Sequence, residues 1–256
     1  MRGPSRVCLI LAGFILAGET ALAEEITVDP ARWPFAAIGK LNVVTGPGSR
    51  QFCTATLIGP RLVLTAAHCL WDRARRRWVE PDSIHFVAGY DQGRYLAHAL
   101  ASSVRKPPDY TYAYGTSRPN MPNDWALIEL ASPIPIKPLA LEHLVAAGGE
   151  RRTRIDIQRA GYRRTTSQLM SAQRSCAARL TEGPAPLLVH DCRAIPGESG
   201  SALLQVEDGQ PTVIGVLVAG PRAGGPPGPS FAVPTSAFLG PAQEILGRQA
   251  APPRRG

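Results

Sequence analysis

Between residues 35 and 233 the chain is a series of short apolar stretches, each closed by Gly, Pro, Asn or Asp. They fall at 35–44, 51–58, 61–65, 84–89, 125–130, 154–160, 186–190, 201–206, 212–219 and 230–233. Such runs suit strands better than helices, and their even spacing with turn residues between them points to an all-β sandwich or barrel. One longer helical pattern stands out, at 235–247, where Thr235 or Ser236 can cap a helix after Pro234. The proline-rich stretch ASPIPIKPLA at 131–140 reads as a connector between two β lobes, with a helical turn over 141–147. GPRAGGPPGPS at 220–230 reads as a loop.

The first residues have the layout of an export signal. Arg2 and Arg6 precede the apolar run Val7 to Ala17, and Ala21-Leu22-Ala23 supplies small residues for a cleavage site. The apolar run is too short to span a bilayer as a helix. Residues 1–23 are therefore expected to be removed, leaving a mature chain of 24–256 without a membrane anchor. Cleavage removes Cys8 and leaves Cys53, Cys69, Cys176 and Cys192. In an oxidising compartment four cysteines imply two disulfides, for which three connectivities exist. The pairs nearest in sequence would close two loops of similar length, each worth about 3 kcal/mol. A zinc site at His68 and Cys69 is the rival reading, and it lacks any Cys-x-x-Cys spacing.

The full chain carries a formal charge of +8; the leader holds two arginines and one glutamate, so the mature chain carries +7. The excess sits in short runs: Arg73 with Arg75 to Arg77, Arg151–Arg152, Arg163–Arg164 and Arg254–Arg255. Basic patches attract anionic partners. These runs lie in turn-rich segments without interleaved aromatics, which favours solvated loops over nucleic-acid binding.

Three stretches carry chemistry: LTAAHC at 64–69, NDWALIEL at 123–130 and IPGESGSALL at 195–204. Taken singly, His68 reads as structural, Asp124 as a turn residue and Ser199 as a turn serine. Together they resemble the trypsin-like (chymotrypsin-fold) serine endopeptidases, closest to the bacterial branch that includes the glutamyl endopeptidases. Thr65 to Cys69 matches the family's histidine motif, Asn123 to Ile128 its aspartate motif, and Gly197-Glu198-Ser199-Gly200-Ser201 its serine motif. The order His, Asp, Ser is that family's order, whereas an α/β-hydrolase runs Ser, Asp, His.

The resemblance implies two packed antiparallel β-barrels with a C-terminal helix: a first barrel at about 26–130, a second at about 140–234 and the helix at 235–247. It implies a polypeptide substrate, no cofactor or metal, and an exported, periplasmic or secreted monomer. Ser199 would be the nucleophile, His68 the base and Asp124 its orienting partner, with the backbone N–H groups of Gly197 and Ser199 as the oxyanion hole. Cys53–Cys69 and Cys176–Cys192 would be the disulfides. The alternative is a non-catalytic relative that holds an anionic ligand on its basic surface.

Departures from trypsin bear on specificity. Arg193 stands where trypsin carries its specificity aspartate, which disfavours a basic P1 residue and either attracts an acidic one or points to solvent. Val218 and Gly220 are the other expected pocket residues, and the glutamyl endopeptidases' histidine has no counterpart in GVLVAG at 215–220. Glu198 replaces an aspartate that in trypsin pairs with a cleaved N-terminus. Trimming after Glu25 would free an Ile26 ammonium for Glu198; the competing arrangement keeps Glu24 as the terminus and bonds Glu198 to local groups.

Overall fold

The computed structural model describes residues 25–112, 118–142, 154–221, 225–226 and 228–251. Strands β1 (Ile38–Gly46), β2 (Ser49–Gly59), β3 (Leu62–Thr65), β4 (Ile84–Ala88), β5 (Ala97–Arg105) and β6 (Ala126–Leu130) close into an antiparallel barrel in the order β1-β2-β3-β6-β5-β4. A second barrel follows from β7 (Ile155–Tyr162), β8 (Met170–Leu180), β9 (Leu188–His190), β10 (Ala202–Glu207), β11 (Gln210–Ala219) and β12 (Ser230–Pro234). Its order is β8-β7-β10-β11-β12-β9, and the β8–β9 pairing closes it. The expected all-β, two-barrel fold is present.

Apolar side chains drive both closures. Ile38, Leu41, Leu57, Leu62, Leu64, Ile84, Phe86 and Leu127 are wholly buried in the first barrel. Ile214, Leu203, Leu188 and Ala232 belong to a separate cluster inside the second. The helix α1 (Leu239–Ala250) folds back over the first barrel, where Arg105 pairs with Glu244 and Arg248 with Glu129. Gly59 leaves room for Leu246, whose Cδ2 would stand 2.3 Å from a Cβ added there.

Several sequence expectations shift. The helix begins later than residue 235: Thr235–Ala237 form a 3-10 turn and Phe238 occupies the cap position, without a side-chain cap. The Thr235 hydroxyl instead donates to the Glu142 carbonyl at 2.5 Å, closing the interlobe connector. Residues 25–27, expected to open the first barrel, pair with β8 of the second. The expected helical turn over 141–147 falls mainly outside the described residues, and Ala140–Leu141 run parallel to β11. β5 and β8 do not stand out in the sequence because both are nearly devoid of the β-branched and aromatic residues that mark strands. Pairing on both sides makes them strands despite this composition. The leader, Arg151–Arg152 and Arg254–Arg255 lie outside the described residues.

The cysteines join as Cys53–Cys69 and Cys176–Cys192, each bridging a sequence separation of 16.

Candidate active site

His68 lies on the 3-10 turn Ala67–Leu70 that follows β3, tethered to β2 by the Cys53–Cys69 bridge. The Sγ atoms of Cys53 and Cys69 come near the His68 ring, but the disulfide commits both sulfurs. Asp124 stands between the 3-10 segment Arg118–Asn123 and β6, its own N–H donating to the Met121 carbonyl at 3.0 Å. It is fully buried, and both carboxylate oxygens serve His68. Oδ1 accepts the His68 backbone N–H at 2.8 Å, and Oδ2 accepts Nδ1–H at 2.7 Å. Because a carboxylate can only accept, the proton sits on Nδ1 and Nε2 is left as the basic nitrogen. Tyr110, also buried, has its phenol held protonated by burial and by the Asp124 charge beside it, well above the ordinary value. No sequence motif announced Tyr110.

Ser199 and His68 line one cavity of about 360 Å³ between the barrels. Ser199 follows the turn 194–198, and the hydrogen bonds of that turn fix where its peptides point. Arg164 N–H donates to the Pro196 carbonyl at 2.7 Å, and Ser201 N–H donates to the Glu198 carbonyl at 3.0 Å. In a trans peptide the N–H points opposite to its carbonyl, so the Gly197 and Ser199 N–H groups turn away from those anchors. Neither has a protein acceptor among the described residues. Gly197 has φ +102 and Gly200 φ +84, left-handed conformations that favour glycine.

Beyond Ser199 the cavity wall is Ala194, Leu217, Val218, Ala219, Gly220 and Pro221. A Cβ on Gly220 would stand 2.6 Å from the Ala194 methyl, so the recess is narrow there. Val218 and Gly220 thus lie in the cavity wall, whereas the Arg193 side chain is exposed and outside the lining. Arg73 and Arg164, assigned from sequence to solvated runs, stand on the cavity rim. The Arg73 guanidinium lies over the Tyr112 ring, 5.5 Å from its centroid.

The Trypsin family matches residues 28–240, most of the chain. The chain belongs to the trypsin family of serine endopeptidases. Human kallikrein-11 is 29% identical over 155 residues, spanning 58% of this chain and 49% of the kallikrein, so the match covers about half of that relative. A solved structure of a Glu endopeptidase superposes with a TM-score of 0.66 at 20% identity, covering 87% of this chain and 96% of that one. That likeness bears on the fold.

Glu198 finds its partners within the chain. Its Oε1 lies 2.8 Å from Arg159 Nη1, with the two side chains 2% and 1% exposed, and its Oε2 accepts the Ile195 N–H at 2.7 Å. Both oxygens are therefore engaged within the chain. Ile26, the terminus that trimming after Glu25 would create, is paired with Ala172 at the sheet edge, and Glu25 is ion-paired with Arg163. In this uncut chain Glu198 bonds to local groups. Sequence reading missed Arg159, although its alternation with Ile155 and Ile157 on β7 marks an inward-facing position.

His190 on β9 is 2% exposed, and its pKa falls from 6.5 to about 3, first through burial and then through the Arg159 charge. The ring is neutral in the folded chain, while the unfolded chain takes up a proton below about pH 6.5. Stability is therefore lost as pH falls from about 6.5 toward 3, at up to ~1.4 kcal/mol per pH unit. Urea unfolding of His190→Gln should show a flatter stability profile than wild type, by about 2–3 kcal/mol between pH 6.5 and 4.5. Equal slopes in the two proteins would contradict this assignment.

Proposed function

We propose that the protein is an exported serine endopeptidase acting through Ser199, His68 and Asp124. The observation that carries this reading is the buried Asp124 carboxylate bonded to both the backbone and the ring of His68, on the same cavity as Ser199. A serine hydroxyl needs a base to attack a carbonyl at neutral pH. His68 Nε2 takes the Ser199 proton as Oγ bonds to the scissile carbon, then gives it to the leaving amine. Asp124 keeps the ring in the required tautomer and stabilises the imidazolium. The Gly197 and Ser199 N–H groups stabilise the oxyanion of the tetrahedral intermediate. Water then hydrolyses the acyl-enzyme by the same route, with His68 again as base.

Export rests on the leader-like first residues and on the two disulfides, which persist in oxidising compartments. Among the described residues no helix is long and apolar enough to cross a membrane. The non-catalytic reading draws on Arg73 and Arg164 at the rim, which suit an anionic ligand. It gives no use to the Asp124–His68 pair or to the two unengaged N–H groups. Under the catalytic reading the same arginines favour acidic residues in the flanks of the substrate.

Ser199→Ala and His68→Ala should lower kcat for peptide hydrolysis by several orders of magnitude with the thermal unfolding midpoint preserved, and Asp124→Asn by about 10⁴. Retention of wild-type turnover in Ser199→Ala would exclude the mechanism.

The neutral, narrow wall around Ala194 and Gly220 supports small apolar P1 side chains. In a peptide series varied only at P1, kcat/KM should be higher for Ala, Val and Leu than for Glu, Arg and Phe. A preference for Glu would instead return Arg193 to the substrate site.

A further inference from the structure

Lys40 lies on β1, opposite Thr54 of β2 and Val87 of β4, and is 7% exposed. An ammonium taken out of water is costly unless something replaces its hydration. No carboxylate charge acts on it, and burial pushes it below the usual lysine range. Its partners are of another kind. Nζ donates to the Ser167 carbonyl at 3.0 Å and stands 4.5 Å from the centroid of the Phe52 ring and 4.8 Å from that of Tyr90. Aromatic faces attract a cation, and more strongly where water is excluded.

From this one ammonium two paths lead to the same peptide. The first runs through the loop 163–169, which joins β7 to β8 in the second barrel and carries Ser167. Groups of the first barrel also hold the next residue: the Tyr90 hydroxyl donates to Gln168 Oε1, and the Gln92 N–H donates to the Gln168 carbonyl at 3.0 Å. At the other end of the loop the Arg164 N–H donates to the Pro196 carbonyl at 2.7 Å. The second path runs through Phe52. Its Cε2 would lie 2.8 Å from a Cβ on Gly197, so the ring rests against the Gly197 backbone. The Pro196 carbonyl and the Gly197 N–H belong to one peptide plane. Lys40 stands behind both supports of that plane without touching it.

We propose that Lys40 is a positioning residue of the active site: its buried ammonium ties the 163–169 loop and the Phe52 ring to the first barrel, and so fixes the Pro196–Gly197 peptide whose N–H serves the oxyanion. The proposal rests on the serine-peptidase reading above. A methionine of similar length would fill the space, yet it would hold neither the carbonyl nor the rings.

The test uses the mature, disulfide-bonded chain. Lys40→Met removes the ammonium and strands no carboxylate, so the unfolding midpoint should stay at or above that of wild type. Its kcat should fall about 10- to 100-fold, the scale of a reacting group displaced by up to an ångström, with KM within about threefold of wild type. Affinity for a peptide boronate should fall in parallel with kcat/KM, because the tetrahedral adduct uses the Gly197 donor. Amide hydrogen exchange over 163–169 should become faster, a readout that needs no turnover. Lys40→Arg, which restores both charge and donor, should recover most of kcat.

A folded Lys40→Met variant with wild-type kcat and boronate affinity would overturn the proposal. So would a fall in kcat that comes with a lowered unfolding midpoint and unchanged exchange over 163–169, or a Lys40→Arg variant no more active than Lys40→Met. If Lys40→Met does not fold, Lys40→Gln decides by the same comparison, since it keeps a donor and no charge: a wild-type kcat there would overturn the role of the ammonium. A wild-type protein that cleaves no peptide and binds no boronate would instead remove the peptidase reading, and this proposal with it.

Discussion

The two halves of the site are joined through Thr54. This residue is fully buried on β2 of the first barrel, and its polar groups all reach across the cleft or along its floor. Its N–H donates to the Ser199 carbonyl at 2.9 Å, and its hydroxyl donates to the Gly197 carbonyl at 3.1 Å while accepting the Tyr162 N–H at 2.9 Å. Its own carbonyl accepts the Thr65 hydroxyl, three residues before His68. Gly200 permits this closeness: a Cβ there would lie 2.2 Å from both the Thr54 carbonyl and the Thr65 hydroxyl. The Ser199 turn and the His68 turn are therefore registered by one shared set of bonds rather than by barrel packing alone.

Around that junction the buried carboxylates have partners, while Arg159 Nε and both ring nitrogens of His190 have no hydrogen-bond partner among the described residues. Asp124 is offset by two N–H donors from His68, and Glu198 by Arg159 and the Ile195 N–H. A buried ion pair contributes little net stability, because desolvation consumes most of the attraction. Its benefit here is geometric: breaking it strands a charge, so the loop has one inexpensive conformation. His190, kept neutral beside Arg159, avoids adding a second positive charge to the same pocket.

Much of this was legible in the sequence because the chemistry is local. His68, Asp124 and Ser199 each sit in a short motif, and the apolar runs with their turn residues outline most strands. What could not be read depends on contacts distant in sequence. β5 and β8 become strands through their neighbours, and Thr235 gives its hydroxyl to Glu142 rather than to the helix that follows. Arg159 is 39 residues before Glu198 in the chain, and an arginine in an alternating segment gives no hint of its partner. Arg193 was placed by its count from Ser199, yet the backbone sends its side chain outward and leaves Ala194 on the cavity wall.

The account turns on Ser199 being a nucleophile that His68 activates. Intact-mass analysis of the folded mature chain after reaction with a fluorophosphonate, followed by peptide mapping, addresses this directly. One adduct per chain on Ser199, lost when the reaction is repeated with His68→Ala, is the predicted result. A folded protein that takes up no label, or that carries it on another residue, would contradict the account.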